Sequence, residues 1–217
     1  MLYHFLKRVF DIVLSLFALI VLTPVLFIAS IGIYISSPGP VLFKAVRIGK
    51  NGKPFVMYKL RTMHVNNQIG HIITLRDDNR IFPFGRLLRT SKIDELPQLV
   101  NILRGEMSIV GWRPEDIEIA NDIYSGRFKQ ILDTKPGLTS PGSLYDYTHG
   151  EKFTNESDYK KVFLPVKLEL ELYYVNQQSL LYDASLIIRT IKIILLTIAG
   201  VKSFEVPKEI EIMKGLE

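Results

Sequence analysis

Hydrophobic and polar positions divide this chain unevenly. Residues 9–35, VFDIVLSLFALIVLTPVLFIASIGIYI, are apolar apart from Asp11 and a few hydroxyls. At about 1.5 Å per residue such a run can cross a hydrocarbon core of about 30 Å. It is too long for the apolar part of a signal peptide, and no small-residue cleavage site follows. Thr23-Pro24 falls at its midpoint. Proline removes an intrahelical hydrogen bond and tends to kink a helix, and a neighbouring Thr can satisfy a freed carbonyl. By hydropathy alone a single spanning helix leads.

The pattern changes after Pro40. VLFKAVRIGKNGKPFVMYKLRTM carries Asn51-Gly52 between flanks rich in Val, Ile, Phe and Tyr, which predicts a β-hairpin. Residues 64–80 read as a polar loop. GRLLRTSKIDELPQLVNILRG is helical in pattern, with a break near Ser91 to Asp94. Leu96, Leu99, Val100 and Leu103 fall at helical spacing. Pro97 suits a first turn, Asp94 then serves as N-cap, and Gly105 marks the end. Residues 115–133 read as a second helix, 135–150 as a Gly/Pro-rich loop and 156–178 as a longer helix. DASLIIRTIKIILLTIAG is apolar but interrupted by Arg189 and Lys192, too short a clean run to span. It reads as an interfacial amphipathic helix or a core helix.

Composition sharpens this picture. The 217 residues are 47% hydrophobic and 23% charged, with a mean hydropathy of +0.18. That suits one ordinary domain with its apolar residues concentrated in a membrane segment. Cysteine is absent, which excludes disulfides and Cys-based metal sites. His4, His64, His71 and His149 show no metal-ligand spacing. No GxGxxG, Walker A or GxSxG pattern is present. The net charge of +5 suits an anionic partner. Between Ile12 and Arg76 there is no Asp or Glu, while Lys44, Arg47, Lys50, Lys53, Lys59, Arg61 and Arg76 lie there. Lys7 and Arg8 precede the apolar run, and the first four of those cations follow it. Both flanks therefore favour the cytoplasmic side. A helix that enters, bends at Pro24 and leaves by the same face satisfies both flanks.

The candidate chemistry lies in TSKIDELPQLVNILRGEMSIVGWRP, Thr90 to Pro114. An ionised Asp94 at a helix start can attack phosphorus, as in aspartyl-phosphate chemistry. Glu95 beside it can hold a magnesium ion. Arg86, Arg89, Arg104 and Arg113 are candidate forks for phosphate oxygens. Asp-Glu-Leu-Pro is equally good helix-start chemistry. Lys59 and Arg61 serve as ligands or as surface residues, and Asp183 as a site residue or a helix cap. By these residues alone the capped helix leads for Asp94, and the surface reading for Lys59 and Arg61.

Six stretches together resemble the bacterial sugar transferases that are monotopic phosphoglycosyl transferases. They are KRVFDIVLS at 7–15, the apolar run with Pro24, and SPGPVLFKAVRIGKNGKPFVMYKLRTM at 37–63. Then come FGRLLRTSKIDELPQLVNILRGEMSIVGWRP at 84–114, KPGLT at 135–139 and YDASLIIRTIKIIL at 182–195. The resemblance extends from about Lys7 to Gly200. It implies an α+β fold, mostly helical with a small β-hairpin. An N-terminal re-entrant membrane helix broken near Pro24 and interfacial amphipathic helices complete that fold. Expected divisions are 1–36 for the membrane helix, 37–202 for the catalytic domain and 203–217 for a tail. The large additional N-terminal domain of some relatives is not expected.

The resemblance also implies a reaction. A phosphosugar moves from a UDP-sugar to polyprenol (undecaprenyl) phosphate, UMP leaves, and a polyprenol diphosphate sugar forms. Asp94 is expected to carry the phosphosugar covalently, and Glu95, with Asp94, to bind Mg²⁺. Lys59, Arg89 and Asp183 match positions tied to the active site, and Arg113 matches an arginine linked to phosphate. Arg61, Arg86 and Arg104 complete the expected substrate-binding set. The implied setting is the cytoplasmic face of the bacterial inner membrane, in glycoconjugate assembly. Membrane lipids are expected partners and nucleic acid is not; a homodimer is left open. Departures from the family pattern are Trp112 in place of a common Pro, Ala45 in place of Gln, and SPGSLYDYTHGE after KPGLT. An aromatic at 112 could reshape the phosphate pocket or stack on a ligand, and residues 140–150 bear on donor choice. The rivals are a glycosyltransferase that releases UDP and a non-catalytic, membrane-anchored anion-binding protein.

Overall fold

A computed structural model describes residues 2–65, 78–150 and 156–215. The expected loop at 64–80, with Arg76 and His71, lies mostly outside the described residues. The class is α+β, as expected. Helix α1, Leu2–Ser36, is followed by an antiparallel hairpin of β1, Leu42–Ile48, and β2, Pro54–Leu60. Asn51 adopts the left-handed conformation in the turn, which an Asn-Gly pair permits with little strain. Helix α2, Pro83–Thr90, and a 3₁₀ turn, Ile93–Glu95, lead to α3, Gln98–Arg104. Gly105 ends α3 at φ +83°, a left-handed C-cap that a side chain would strain.

Three regions differ from the sequence reading. Residues 115–133 are not one helix: α4 covers Ile117–Ile123, and a 3₁₀ segment covers Gly126–Asp133. Gly126 at φ +53° turns the chain between them. Residues 135–150 are not a loop either. β3, Ser108–Val110, pairs in parallel with β4, Gly137–Thr139, and α5 covers Pro141–His149. Three-residue strands are too short to leave an alternating pattern. Ser140 caps α5 by accepting from the Ser143 N–H, and Pro141 occupies its first turn, so a Gly/Pro-rich stretch begins a helix. The helix read over 156–178 is compound. α6, Glu156–Asp158, continues through a π-turn, Tyr159–Phe163, into α7, Leu164–Asn176. α8 covers Leu180–Ile198 and α9 covers Lys208–Lys214.

The main core joins hairpin residues Ala45, Phe55 and Met57 to Leu99 and Ile102 of α3, with Met107, Val110, Leu144, Tyr174 and Leu186. Leu14, Ala18 and Leu19 of α1 pack against it. A second cluster surrounds Trp112, which is fully buried against Tyr124 and donates its indole N–H to the Thr134 carbonyl. Trp112 therefore neither lines a phosphate pocket nor stacks on a ligand; its ring fills the core. A third cluster holds Ala29 and Ile33 of α1 against Leu60, Phe82 and Leu88.

Helix α1 is hydrogen-bonded as one helix through Pro24, so the expected break does not interrupt it. The Thr23 hydroxyl donates to the Leu19 carbonyl at 2.6 Å, one residue before the Ile20 carbonyl that Pro24 leaves without its usual donor. Both ends of α1 are fastened to the same domain. Near its start, Lys7 pairs with Asp183 at 2.7 Å, and buried Asp11 accepts from the Ser108 hydroxyl and the Ile109 N–H at 2.8 and 2.9 Å. Arg8 reaches the Ile102 and Leu103 carbonyls at the end of α3, where a cation meets the negative helix terminus. Just beyond its end, Ser37 accepts from buried Arg61 through both its carbonyl and its hydroxyl. The outward face of α1 keeps Phe17, Ile20, Phe27 and Ile28 exposed, and α8 exposes Leu181, Ile188 and Leu195.

Candidate active site

The carboxylate pair is placed by a turn, not by a helix cap. α2 ends at Thr90, and Lys92 takes a left-handed conformation at φ +57°. A residue with a side chain adopts that region rarely and at a cost of about 1 kcal/mol. The reversal swings Asp94 and Glu95 inward, where they are only 5% and 6% exposed. Pro97, not Asp94, is the N-cap of α3, and no side chain caps that helix. The expectation that Asp94 caps a helix is therefore corrected. Nor does a helix end lower its pKa. Burial pushes the Asp94 carboxyl up, adjacent Glu95 pushes it further, and Lys59, Lys92 and Arg89 pull part of the shift back.

Glu95 is the hub of the site. Burial alone would raise its pKa, but Arg113, Lys59 and Lys92 outweigh burial and hold it well below the usual carboxylate range. Lys59, from β2, lies 3.3 Å from Glu95 Oε1, and Arg113 Nη2 lies 3.0 Å from the same oxygen. The Tyr147 hydroxyl donates to Glu95 Oε2 at 3.2 Å and accepts from Arg113 Nη1 at 3.3 Å. Asp146 holds the other side of Arg113 at 3.4 Å. Lys92 lies over the Tyr147 ring, 3.8 Å from its centre, a cation–π contact. Asp94 Oδ1, by contrast, is buried with no hydrogen-bond partner among the described residues.

Arg113 is held in place through its backbone. β3 runs into Gly111, where a Cβ would collide with the Lys135 carbonyl, so the two strand ends approach closely. Two residues on, the Arg113 N–H donates to Glu171 Oε1 at 3.1 Å, and the same oxygen accepts from the Ser140 hydroxyl at 2.8 Å. One α7 carboxylate thus ties the start of α5, which carries Tyr147, to the strand end that carries Arg113. Burial pushes Glu171 up to about 7.

Of the expected residues, the fold brings together Lys59, Asp94, Glu95 and Arg113, with Arg89 near enough to act on Asp94. It places others elsewhere. Arg61 is spent on Ser37, the Pro40 carbonyl and the Met63 carbonyl, fastening the end of α1 to β2. Arg104 donates to the Tyr58 hydroxyl at 2.6 Å. Arg86 is exposed on α2. Asp183 is buried among Lys7, Tyr3 and Tyr174, as a tie between α8 and α1. Ser179, not Asp183, caps α8. The sequence reading missed Lys92, Asp146, Tyr147 and Glu171 as members of this network. The nearest signal for two of them was the departure at residues 140–150.

A family model described as bacterial sugar transferase matches residues 2–197. The chain is 34% identical over 195 residues to a UDP-glucose:undecaprenyl-phosphate glucose-1-phosphate transferase of Caulobacter vibrioides, covering 88% of this chain and 70% of that one. A protein of the same description from Escherichia coli K12 is 35% identical over 195 residues, 86% of this chain and 39% of the relative. A UDP-N-acetylgalactosamine-undecaprenyl-phosphate N-acetylgalactosaminephosphotransferase of Aeromonas hydrophila is 32% identical over 198 residues, 89% of this chain and 44% of the relative. The chain thus spans well under half the length of the last two relatives. With a family match over most of its length, and with Asp94 and Glu95 set among Lys59, Lys92 and Arg113, the chain belongs to the bacterial sugar transferase family.

Proposed function

We propose that this chain is a membrane phosphoglycosyl transferase that moves a phosphosugar from a UDP-sugar to undecaprenyl phosphate and releases UMP. One observation carries the reading. Asp94 Oδ1 is buried, has no hydrogen-bond partner among the described residues, and lies beside a second carboxylate within reach of the charges of Lys59, Lys92 and Arg89. A desolvated carboxylate of raised basicity suits a nucleophile, and the cations suit a diphosphate.

The reaction runs in two displacements. Ionised Asp94 attacks the sugar-proximal phosphorus, forming an aspartyl O–P bond. The bond from that phosphorus to the oxygen bridging the two phosphates breaks, and UMP departs with its electron pair. An oxygen of the lipid phosphate then attacks the same phosphorus, the aspartyl bond breaks, and Asp94 regains its charge. Lys59 and Arg113 keep Glu95 ionised and fix its orientation; Tyr147 bridges Glu95 and Arg113. Asp94 Oδ1 and the Glu95 carboxylate are hard oxygens of the kind Mg²⁺ takes together with substrate phosphates. Substrate oxygens and water would complete the shell of such an ion. Such an ion would neutralise diphosphate charge.

We place the site at the cytoplasmic face of the inner membrane, with α1 entering and leaving by one side. If residues between Asp11 and Ala29 crossed a bilayer, those two residues would sit on opposite surfaces. Both are instead buried against one domain. The exposed apolar faces of α1 and α8 then meet lipid.

Purified protein in lipid, given Mg²⁺, undecaprenyl phosphate and a panel of UDP-sugars, should release UMP, and Asp94→Asn should release none. UDP release would overturn phosphosugar transfer in favour of simple glycosyl transfer. Salt-sensitive binding of anionic lipid without turnover of any donor would favour the non-catalytic rival.

A further inference from the structure

Away from the carboxylate pair, a groove of about 510 Å³ opens between the hairpin tip, the end of α3 and the approach to β4. That volume is in the range of small-ligand sites. Four cations line it, Lys50, Lys53, Arg104 and Lys135, against one carboxylate, Glu106. Glu106 already accepts from the Asn101 side-chain amide at 2.7 Å. Among the described residues, the side chains of Lys50, Lys53 and Lys135 make no ion pair or hydrogen bond. Over Gly105 two cations converge: a Cβ there would lie 3.4 Å from the Arg8 guanidinium and 3.6 Å from Lys135 Nζ. Burial, then Arg8, pushes the Lys135 ammonium below its usual pKa. The Asp11 carboxylate offsets part of that shift, and an anion in the groove would relieve more of it.

The groove is distinct from the candidate active site. On β2, Tyr58 and Lys59 are neighbours and so face opposite sides of the hairpin. Lys59 goes to Glu95, whereas Tyr58 goes to Arg104, whose guanidinium also lies 5.2 Å from its ring centre. The groove also adjoins the apolar surface of the molecule. Arg8 belongs to α1, and the residues next along that helix, Val9, Phe10 and Val13, are exposed.

We propose that this groove is a second anion site, which takes the phosphate of an anionic membrane-lipid headgroup and so fixes how the domain sits on the bilayer. The aromatic ring and pyrrolidine of Tyr58 and Pro54 supply apolar wall for the first carbons beyond the phosphate. The proposal rests on the membrane-bound reading above, and not on the chemistry at Asp94.

Full-length protein in uncharged detergent is titrated with dihexanoyl-phosphatidylglycerol, dihexanoyl-phosphatidylcholine and inorganic phosphate in separate calorimetric arms. No donor or acceptor is present, so the result is independent of whether the protein transfers phosphosugar. Phosphatidylglycerol should bind roughly tenfold or more tightly than phosphatidylcholine, the scale expected when several cations act together near a lipid surface. The double variant Lys53→Ala, Lys135→Ala should lose that preference. Lys161→Ala with Lys202→Ala, which removes equal charge elsewhere, should keep it. Lys53 is exposed, so Lys53→Glu tests the groove without disturbing the core, and it too should weaken binding. Three results would each overturn the proposal: no preference in the native protein, equal loss in the control pair, or inorganic phosphate binding as tightly as the lipid.

Discussion

Asp94 and Glu95 are neighbours in sequence, yet their protonation is pushed in opposite directions. Glu95 makes direct contacts with Lys59 and Arg113, whereas Asp94 has burial and a like charge beside it. In the proposed mechanism Asp94 attacks as the ionised carboxylate, so acid should silence it at a pH above the ordinary 3.8. The acid limb of kcat/KM for UMP release should therefore lie above the usual aspartate range. Lys59 is the first of the cations that lower Asp94, so Lys59→Met should move that limb further up. A limb that stays put would separate Lys59 from Asp94. Tyr147→Phe removes one hydroxyl that joins Glu95 to Arg113. A hydrogen bond to a charged group is worth about 1.5–3 kcal/mol, so kcat should fall roughly tenfold or more. Steady-state kinetics on the same donor would check this.

The elements that carry these residues are tied by buried polar links. Asp11 is the link from α1 to β3. Asp11→Ala would leave the Ile109 N–H and the Ser108 hydroxyl without their acceptor. The cost should be about 1–3 kcal/mol, read as a lower Tm in detergent. Glu171 links α7 to both Arg113 and Ser140. Its carboxyl is raised from 4.5 to about 7 in the folded protein. The unfolded chain therefore releases this proton first, and the contribution of Glu171 to stability falls as pH rises from about 4.5 to about 7. Glu171→Gln keeps an acceptor oxygen for Arg113 and Ser140 and removes the charge. It should flatten that decline and raise stability at pH 8 by up to about 3 kcal/mol. Denaturation at pH 5 and pH 8 tests both halves of the statement.

At the scale of the molecule, α1 decides the arrangement. A straight helix of 35 residues is about 52 Å long, more than enough to span. Its anchoring contacts nevertheless bring both ends to one domain, through Lys7 and Asp11 at one end and Ile33 and Ser37 at the other. Because the chain has no cysteine, single cysteines placed at Leu2 and Ser36 can be labelled cleanly. In sealed vesicles an impermeant maleimide should modify both from the same side. Labelling from opposite sides would sink the one-sided arrangement.

What the sequence determined by itself was local. The hairpin follows from Asn51-Gly52, the end of α3 from Gly105, and the apolar helix from a long run of mostly apolar residues; each signal lies within the residues it governs. The Asp-Glu pair and its family were legible for the same reason, in contiguous stretches. Tertiary structure alone decided the rest. β3 and β4 are three residues each and exist because they pair with each other, Ser108 opposite Gly137 and Val110 opposite Thr139. Arg61 and Asp183 carried the same charges in sequence as Arg113 and Glu95 do, yet the fold spends them on α1. Lys92, Asp146, Tyr147 and Glu171 join the network only because distant segments converge on Glu95 and Arg113. Charge and hydrogen bonding act over a few ångströms in space, and the distances that set them are not written in the order of the chain.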